Sequence, residues 1–347
     1  MSKAVIKVQG EDAEDYLQSQ CTIDLRKLSP GQVRFGLRLS TKGKVLAGAY
    51  FIKNSSESFR LISRDTEAAC LIDLLEQNVV ADEIEFFDET NDWNLLTISG
   101  SEAGRFFSFQ NLEIPSQNNL LTSEELIAFV DYRLAQVTFS ILTKIDFSNI
   151  FDSVRAESVD WNEFERRRIK ACLVSIPQEI GPTNLPQEGK LDKDCVDFEK
   201  GCYLGQEVMA RLHAMGKVRR YTHPVAWDGH ESPSLPADLL LDNKTVGALK
   251  TLEKDNHRSI GIALIHEKAL RESIHELSRN PMVDNDLFKG RSLFVRGEKS
   301  GYLRTEHMQE VKKYFPNSKF TMLPGVGHNL HVEDRGGFLS AIDEFLG

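Results

Sequence analysis

The chain has 347 residues, of which 41% are hydrophobic and 27% charged, and its formal net charge is −10. That length allows two or three cooperative units of ordinary globular composition. The acidic balance argues against a general nucleic-acid binder, because phosphate contacts need Lys and Arg, and leaves only local basic groups such as Arg166, Arg167, Arg168 and Lys170, or Arg211, Lys217, Arg219 and Arg220.

Near the N-terminus Ala4, Ile6 and Val8 share one face of a strand, with Val5 the apolar exception on the other. A helix is expected over Glu11 to Gln20. Arg34 to Leu39 and Val45 to Ile52 read as strands joined by a turn at Thr41-Lys42-Gly43-Lys44. Asp65 is placed to cap a helix whose apolar positions are Ala68, Leu71, Ile72 and Leu75. Trp93 to Ile98 reads as another strand and Trp161 to Ile169 as a charged helix. A loop punctuated by Pro177, Gly181, Pro182, Pro186 and Gly189 leads to Lys200 to Glu207, with a helix from there to Met215. Runs at Ala237 to Leu241, Thr245 to Leu249 and Ser259 to Leu264 suggest a small β-barrel lobe. The rest reads as strand (Leu293 to Val295), helix (Glu306 to Phe315), strand (Lys319 to Leu323) and a helix with Phe338, Ala341, Ile342 and Phe345 on one face.

No apolar run approaches a membrane span. The five cysteines, at 21, 70, 172, 195 and 202, are scattered and odd in number, which fits reduced cytoplasmic thiols better than a disulfide framework. No Cys-x-x-Cys pair offers a metal cage, and no metal site is expected.

Lys200-Gly201-Cys202-Tyr203-Leu204-Gly205-Gln206-Glu207 is the most informative stretch. Its glycines let the backbone bend or approach a ligand closely. A lysine two residues before Cys202 can favour the thiolate. A cysteine in a tight loop also reads as a small buried packing residue. The octapeptide resembles the K-G-C-Y-x-G-Q-E signature of the YgfZ-type folate-binding proteins, relatives of the glycine-cleavage T-protein that support iron–sulfur enzymes. Val8 to Ala13, Thr22-Ile23-Asp24-Leu25, Thr41 to Leu46, Arg168 to Leu173, Pro186 to Leu191 and Val246-Gly247 resemble further elements of that family, over roughly residues 1–268.

The resemblance implies an α+β fold: a three-lobed cloverleaf, with residues 1–222 as the folate-binding region and 223–268 as the barrel lobe. It implies a cytoplasmic accessory protein that binds tetrahydrofolate or a derivative. That protein would serve iron–sulfur enzymes or assembly factors, including those for tRNA modification, without being a self-contained enzyme. Cys202 and Lys200 would carry the chemistry. Asp24, Arg168, Gly201, Tyr203, Gly205, Gln206, Glu207 and Arg211 would shape the folate site. The alternative is a folate-dependent aminomethyl transferase. Its acidic pair would fall near Ala47 and Gly48, which cannot move a proton, leaving Asp24 as a substitute. Lys170 stands where many relatives carry a pterin-binding Glu, and Cys172 where they carry Gly.

Residues 269–347 resemble the C-terminal end of an α/β-hydrolase, through Ser292 to Ser300 and Gly325-Val326-Gly327-His328-Asn329-Leu330-His331. His328 would be the general base, but no Gly-x-Ser-x-Gly elbow supplies a nucleophile, and a serine hydrolase is the least supported reading. Such a partial sheet would leave an apolar face and an edge to be covered.

Overall fold

Alternating apolar residues build a first sheet that is covered on both faces. The computed structural model describes residues 4–116, 119–131, 137–145, 157–229, 232–255, 258–272, 287–301, 303–327 and 330–346. Strands β1 (Ala4–Gln9), β2 (Gln32–Leu39), β3 (Val45–Ser55), β4 (Ser58–Ser63) and β5 (Glu85–Asp88) pair antiparallel in the order β2-β3-β4-β1-β5. Side chains alternate across the sheet. Ile6, Val8, Ala47, Phe51, Phe59 and Leu61 pack against Tyr16 and Leu17 of α1 (Ala13–Gln20) and Leu71 and Leu75 of α2 (Ala68–Glu76). On the opposite face Val5, Phe35, Tyr50 and Ile52 join Trp93, Phe129, Val174, Ile176 and Tyr203 in a second core. Val5 is therefore apolar because its own face is buried too.

A second antiparallel sheet comprises β6 (Asn94–Ser99), β7 (Leu121–Thr122), β8 (Leu126–Val130) and β9 (Thr138–Thr143), in the order β6-β9-β8-β7. Phe106 and Phe107 of α3 (Arg105–Phe109) are buried beneath it against Leu126, Phe139 and Ile141. Each such phenylalanine contributes about 1.5–3 kcal/mol.

Helix α4 (Trp161–Lys170) is capped at both ends. Asp160 Oδ1 accepts from the Glu163 N–H at 2.7 Å. At the other end Cys172 takes a left-handed φ of 54°, and the Leu173 N–H returns to the Arg168 carbonyl at 3.1 Å. This is the helix-ending geometry that glycine adopts most readily. Helix α5 (Gln206–Met215) begins within the octapeptide, at its last two residues.

The segment read as a barrel lobe is an open four-stranded antiparallel sheet instead. Strands β10 (Arg220–Trp227), β11 (Ala237–Leu241), β12 (Lys244–Asp255) and β13 (Arg258–His266) run in the order β10-β13-β12-β11. Strand β10 carries Pro224 and lies at an edge, where the missing N–H breaks no ladder bond. Helix α6 (Glu267–Glu272) closes this first unit, which spans Met1–Glu272.

The second unit is Ser273–Gly347. Here β14 (Ser292–Gly297) and β15 (Ser318–Leu323) are parallel and linked through α7 (Met308–Tyr314), with α8 (Leu330–Glu333) and α9 (Arg335–Leu346) following. Phe294 packs against Phe315 and Phe320 at centroid distances of 5.2 and 5.3 Å. His328, expected as a hydrolase base, lies outside the described residues. Among the described residues no helix is long and apolar enough to cross a membrane.

Candidate functional site: a polar cleft and an anchored cysteine loop

The octapeptide is clamped onto the end of α1. Lys200 is buried, and its Nζ donates to the carbonyls of Gln18, Cys21 and Ile23, each at 2.7 Å. A cation is favoured where a helix leaves carbonyls unpaired. The Leu204 N–H donates to the Ser19 carbonyl at 3.0 Å, and the Asp197 N–H to the Thr22 carbonyl at 2.8 Å. Gly205, at φ 83°, lies against the Ser40–Gly43 turn, where an added Cβ would be 2.6 Å from the Ser40 carbonyl oxygen. The loop thus touches two connections of the first sheet, the end of α1 and the Ser40–Gly43 turn, and leaves Cys202 exposed between Gly201 and Tyr203.

The Lys200 ammonium is engaged by three backbone carbonyls. Burial pulls its pKa below the ordinary lysine value, against the opposing charges of Cys21 and Asp24. Cys202 is not a buried packing residue. Tyr203 lies in the second core, where burial, then the charge of Asp197, pushes its phenol up to about 12. Asp24 is buried and caps the Leu25–Lys27 turn, accepting from Gln18 Nε2 at 2.9 Å and the Arg26 N–H at 3.2 Å. Gln206 donates to the Lys200 carbonyl at 3.4 Å, while Glu207 and Arg211 face solvent.

A separate cleft of about 40 Å³ opens where the two sheets meet α4. It is lined by Phe35, Gly48, Tyr50, Ser63, Arg64 and Asp65 together with Asp131, Phe164, Arg168, Leu173, Val174 and Ile176. Of the expected site residues only Arg168 belongs to it.

Polar side chains in the cleft are held by one another. Asp131 is buried; its carboxylate accepts from the Tyr50 hydroxyl, from Arg64 Nη2 at 2.9 Å and from Ser140 Oγ at 2.7 Å. Arg64 Nη1 also donates to Thr97 Oγ1 at 2.7 Å. This network ties β3 and the end of β4 to the second sheet. Arg168 donates Nη1 and Nη2 to the buried Glu179 carboxylate at 2.8 and 2.9 Å, and Nη2 to Glu165 at 2.7 Å. Burial opposes its charge, but the hydrogen bonds to Glu179 and Glu165 outweigh burial and raise its pKa.

The Arg166–Arg168 run is therefore not a free basic groove: Arg166 and Arg167 both pair with Glu163, at 2.9 and 2.7 Å. Lys170 pairs with Asp255 at 2.9 Å and does not line the cleft.

Asp65, Asp131, Tyr50 and Arg64 are the cleft residues that sequence reasoning missed. Asp65 was expected to cap α2. The residue preceding that helix is Glu67, without a side-chain cap bond, and Asp65 Oδ2 accepts instead from the Ile176 N–H at 3.3 Å. The signal available in the sequence was the polar Ser63-Arg64-Asp65 ending an apolar strand. At the position expected for a transferase acid, a Cβ on Gly48 would be 2.6 Å from the Phe35 ring. Among the described residues no group of three or more His, Cys, Asp or Glu is placed to hold a metal.

Residues 2–140 match the GCVT N-terminal domain family. The chain is 24% identical over 307 residues to the tRNA-modifying protein YgfZ of Klebsiella pneumoniae, covering 87% of this chain and 89% of that one. It is 27% identical over 292 residues to the tRNA-modifying protein YgfZ of Buchnera aphidicola, covering 82% and 88%. Among solved structures, the glycine cleavage system aminomethyltransferase T of Bartonella henselae shares the fold, with a TM-score of 0.64 at 17% identity over 76% of each chain. The chain is thus similar to the GCVT N-terminal domain over residues 2–140 and to YgfZ proteins over most of its length, and it has the fold of an aminomethyltransferase T.

Proposed function

We propose that this chain is a YgfZ-type accessory protein that binds a reduced folate and supports iron–sulfur enzymes, including those that modify tRNA. The cleft carries this reading. It sets the rings of Phe35, Tyr50 and Phe164 beside the carboxylate of Asp65 and the fixed Arg64–Asp131 network. A pterin needs such a combination: faces to stack on and acceptors for its N–H edge. The enclosed volume suits a few waters, so the ring would lie in the mouth with its polar edge reaching inward.

Cys202 adds an accessible thiol on an anchored loop. In this account it transiently holds sulfur, a cluster iron or a one-carbon unit for a client enzyme. The aminomethyl-transferase alternative is less well supported, because Ala47 is in the core and Gly48 has Phe35 against it.

The test is complementation in cells that lack this protein. Wild type restores the activity of a cluster-dependent tRNA-modifying enzyme. Cys202→Ala is expected to fold, as judged by an unchanged thermal transition, and to restore little of it. Full restoration by Cys202→Ala would remove the thiol from the account.

A further inference from the structure

Among the described residues, the cleft has two carboxylates, and one of them keeps unused hydrogen-bonding capacity. Asp131 has both oxygens occupied, and Arg168 is held by Glu165 and Glu179. Ser63 Oγ donates to the Gly48 carbonyl at 2.8 Å and accepts from the Thr66 N–H at 3.2 Å. Asp65 differs. Its Oδ2 takes one hydrogen bond, from the Ile176 N–H at 3.3 Å, and no ion pair engages it among the described residues. It is half-buried, at a depth open to both solvent and ligand.

An ionised carboxylate only accepts hydrogen bonds, and its two oxygens suit two adjacent donors. The flat complement is a 2-amino-4-oxopyrimidine edge, where an exocyclic amine stands beside a ring N–H. Pterins and guanine both carry that edge. Phe35, Tyr50 and Phe164 supply apolar ring surface in the same cleft.

We infer that Asp65 is the carboxylate through which this cleft recognises a 2-amino-4-oxopyrimidine ring. The inference rests on the folate reading above and deepens it, by moving recognition away from the α4 terminus. Lys170, which occupies the position the family resemblance gives to a pterin-binding acid, is engaged by Asp255 instead.

The test is calorimetric titration of the full-length chain with tetrahydrofolate, guanosine, tetrahydropterin and its 2-oxo counterpart, tetrahydrolumazine. Asp65→Asn keeps an acceptor for the Ile176 N–H but presents an NH₂ to the ligand. It is expected to weaken tetrahydrofolate binding about 10- to 100-fold, the scale of a lost charge-assisted hydrogen bond. Lys170→Ala is expected to bind like wild type.

Should Asp65→Asn fail to fold, the ligand pair still decides, because wild type should prefer tetrahydropterin over tetrahydrolumazine at least about tenfold. Binding of guanosine but not tetrahydrofolate, with the same Asp65→Asn loss, upholds the edge recognition and defeats the folate reading. Tight tetrahydrofolate binding that Asp65→Asn leaves unchanged, or equal affinity for tetrahydropterin and tetrahydrolumazine, overturns the role of Asp65 and spares the folate reading. Binding of none of the four ligands overturns both.

Discussion

The Lys200 ammonium lies 2.7 Å from the carbonyl oxygen of Cys21, and the carbonyls of Gln18 and Ile23 complete the same cage. A lysine that a local motif offers as a thiol activator is, in three dimensions, the fastener between the octapeptide and α1.

Replacing it should therefore cost stability before it costs reactivity. Lys200→Met keeps the length of the side chain and leaves the three carbonyls to find water or remain unpaired. We expect a loss of about 2–4 kcal/mol in urea unfolding. Alkylation of Cys202 by iodoacetamide in the folded state should stay within about twofold of wild type, a difference of about 0.4 kcal/mol. Unchanged stability with a markedly slower thiol would restore the activating role.

Tyr203 sets an alkaline limit. Burial raises its phenol from 10.0 to about 12, so the neutral form is favoured in the folded chain. Stability from this term is complete below about pH 10 and is lost as pH rises through about 12. Tyr203→Phe keeps the ring in the core and removes the titration. Urea unfolding at pH 9 and pH 11.5 should show the wild type losing about 1–2 kcal/mol more than the variant over that interval. Tyr16, raised to about 12 chiefly by burial, leaves a residual slope in both proteins. Identical slopes would show that Tyr203 ionises as freely in the folded chain as in the unfolded one.

Local patterns carried much of the first sheet. Alternation located β2 and β3, the Thr41–Lys44 turn joined them, and i, i+3, i+4 spacing located α2. The octapeptide marked a loop that Lys200 anchors to the end of α1. The cleft was not legible, because its parts lie on different elements. Tyr50 stands on β3, Arg64 and Asp65 follow β4, and Asp131 follows β8; only the register of two sheets brings them together. Strand β10 was not among the expected strands; it carries Pro224 and begins at Arg220, directly after Arg219. Its place at a sheet edge makes the proline tolerable. The barrel expectation came from counting short strands, which does not distinguish a closed sheet from an open one. Lys170 and Lys200 show one further limit: sequence gives a cation but not the partner that holds it.

Whether the cleft holds a reduced folate is tested most directly by calorimetric titration of the full-length wild-type chain with tetrahydrofolate. The account expects one site per chain with a micromolar or tighter dissociation constant, unaffected by Cys202→Ala. Absence of binding at millimolar ligand would contradict it, and would leave the chain as a thiol-bearing scaffold whose cleft serves only to join its two sheets.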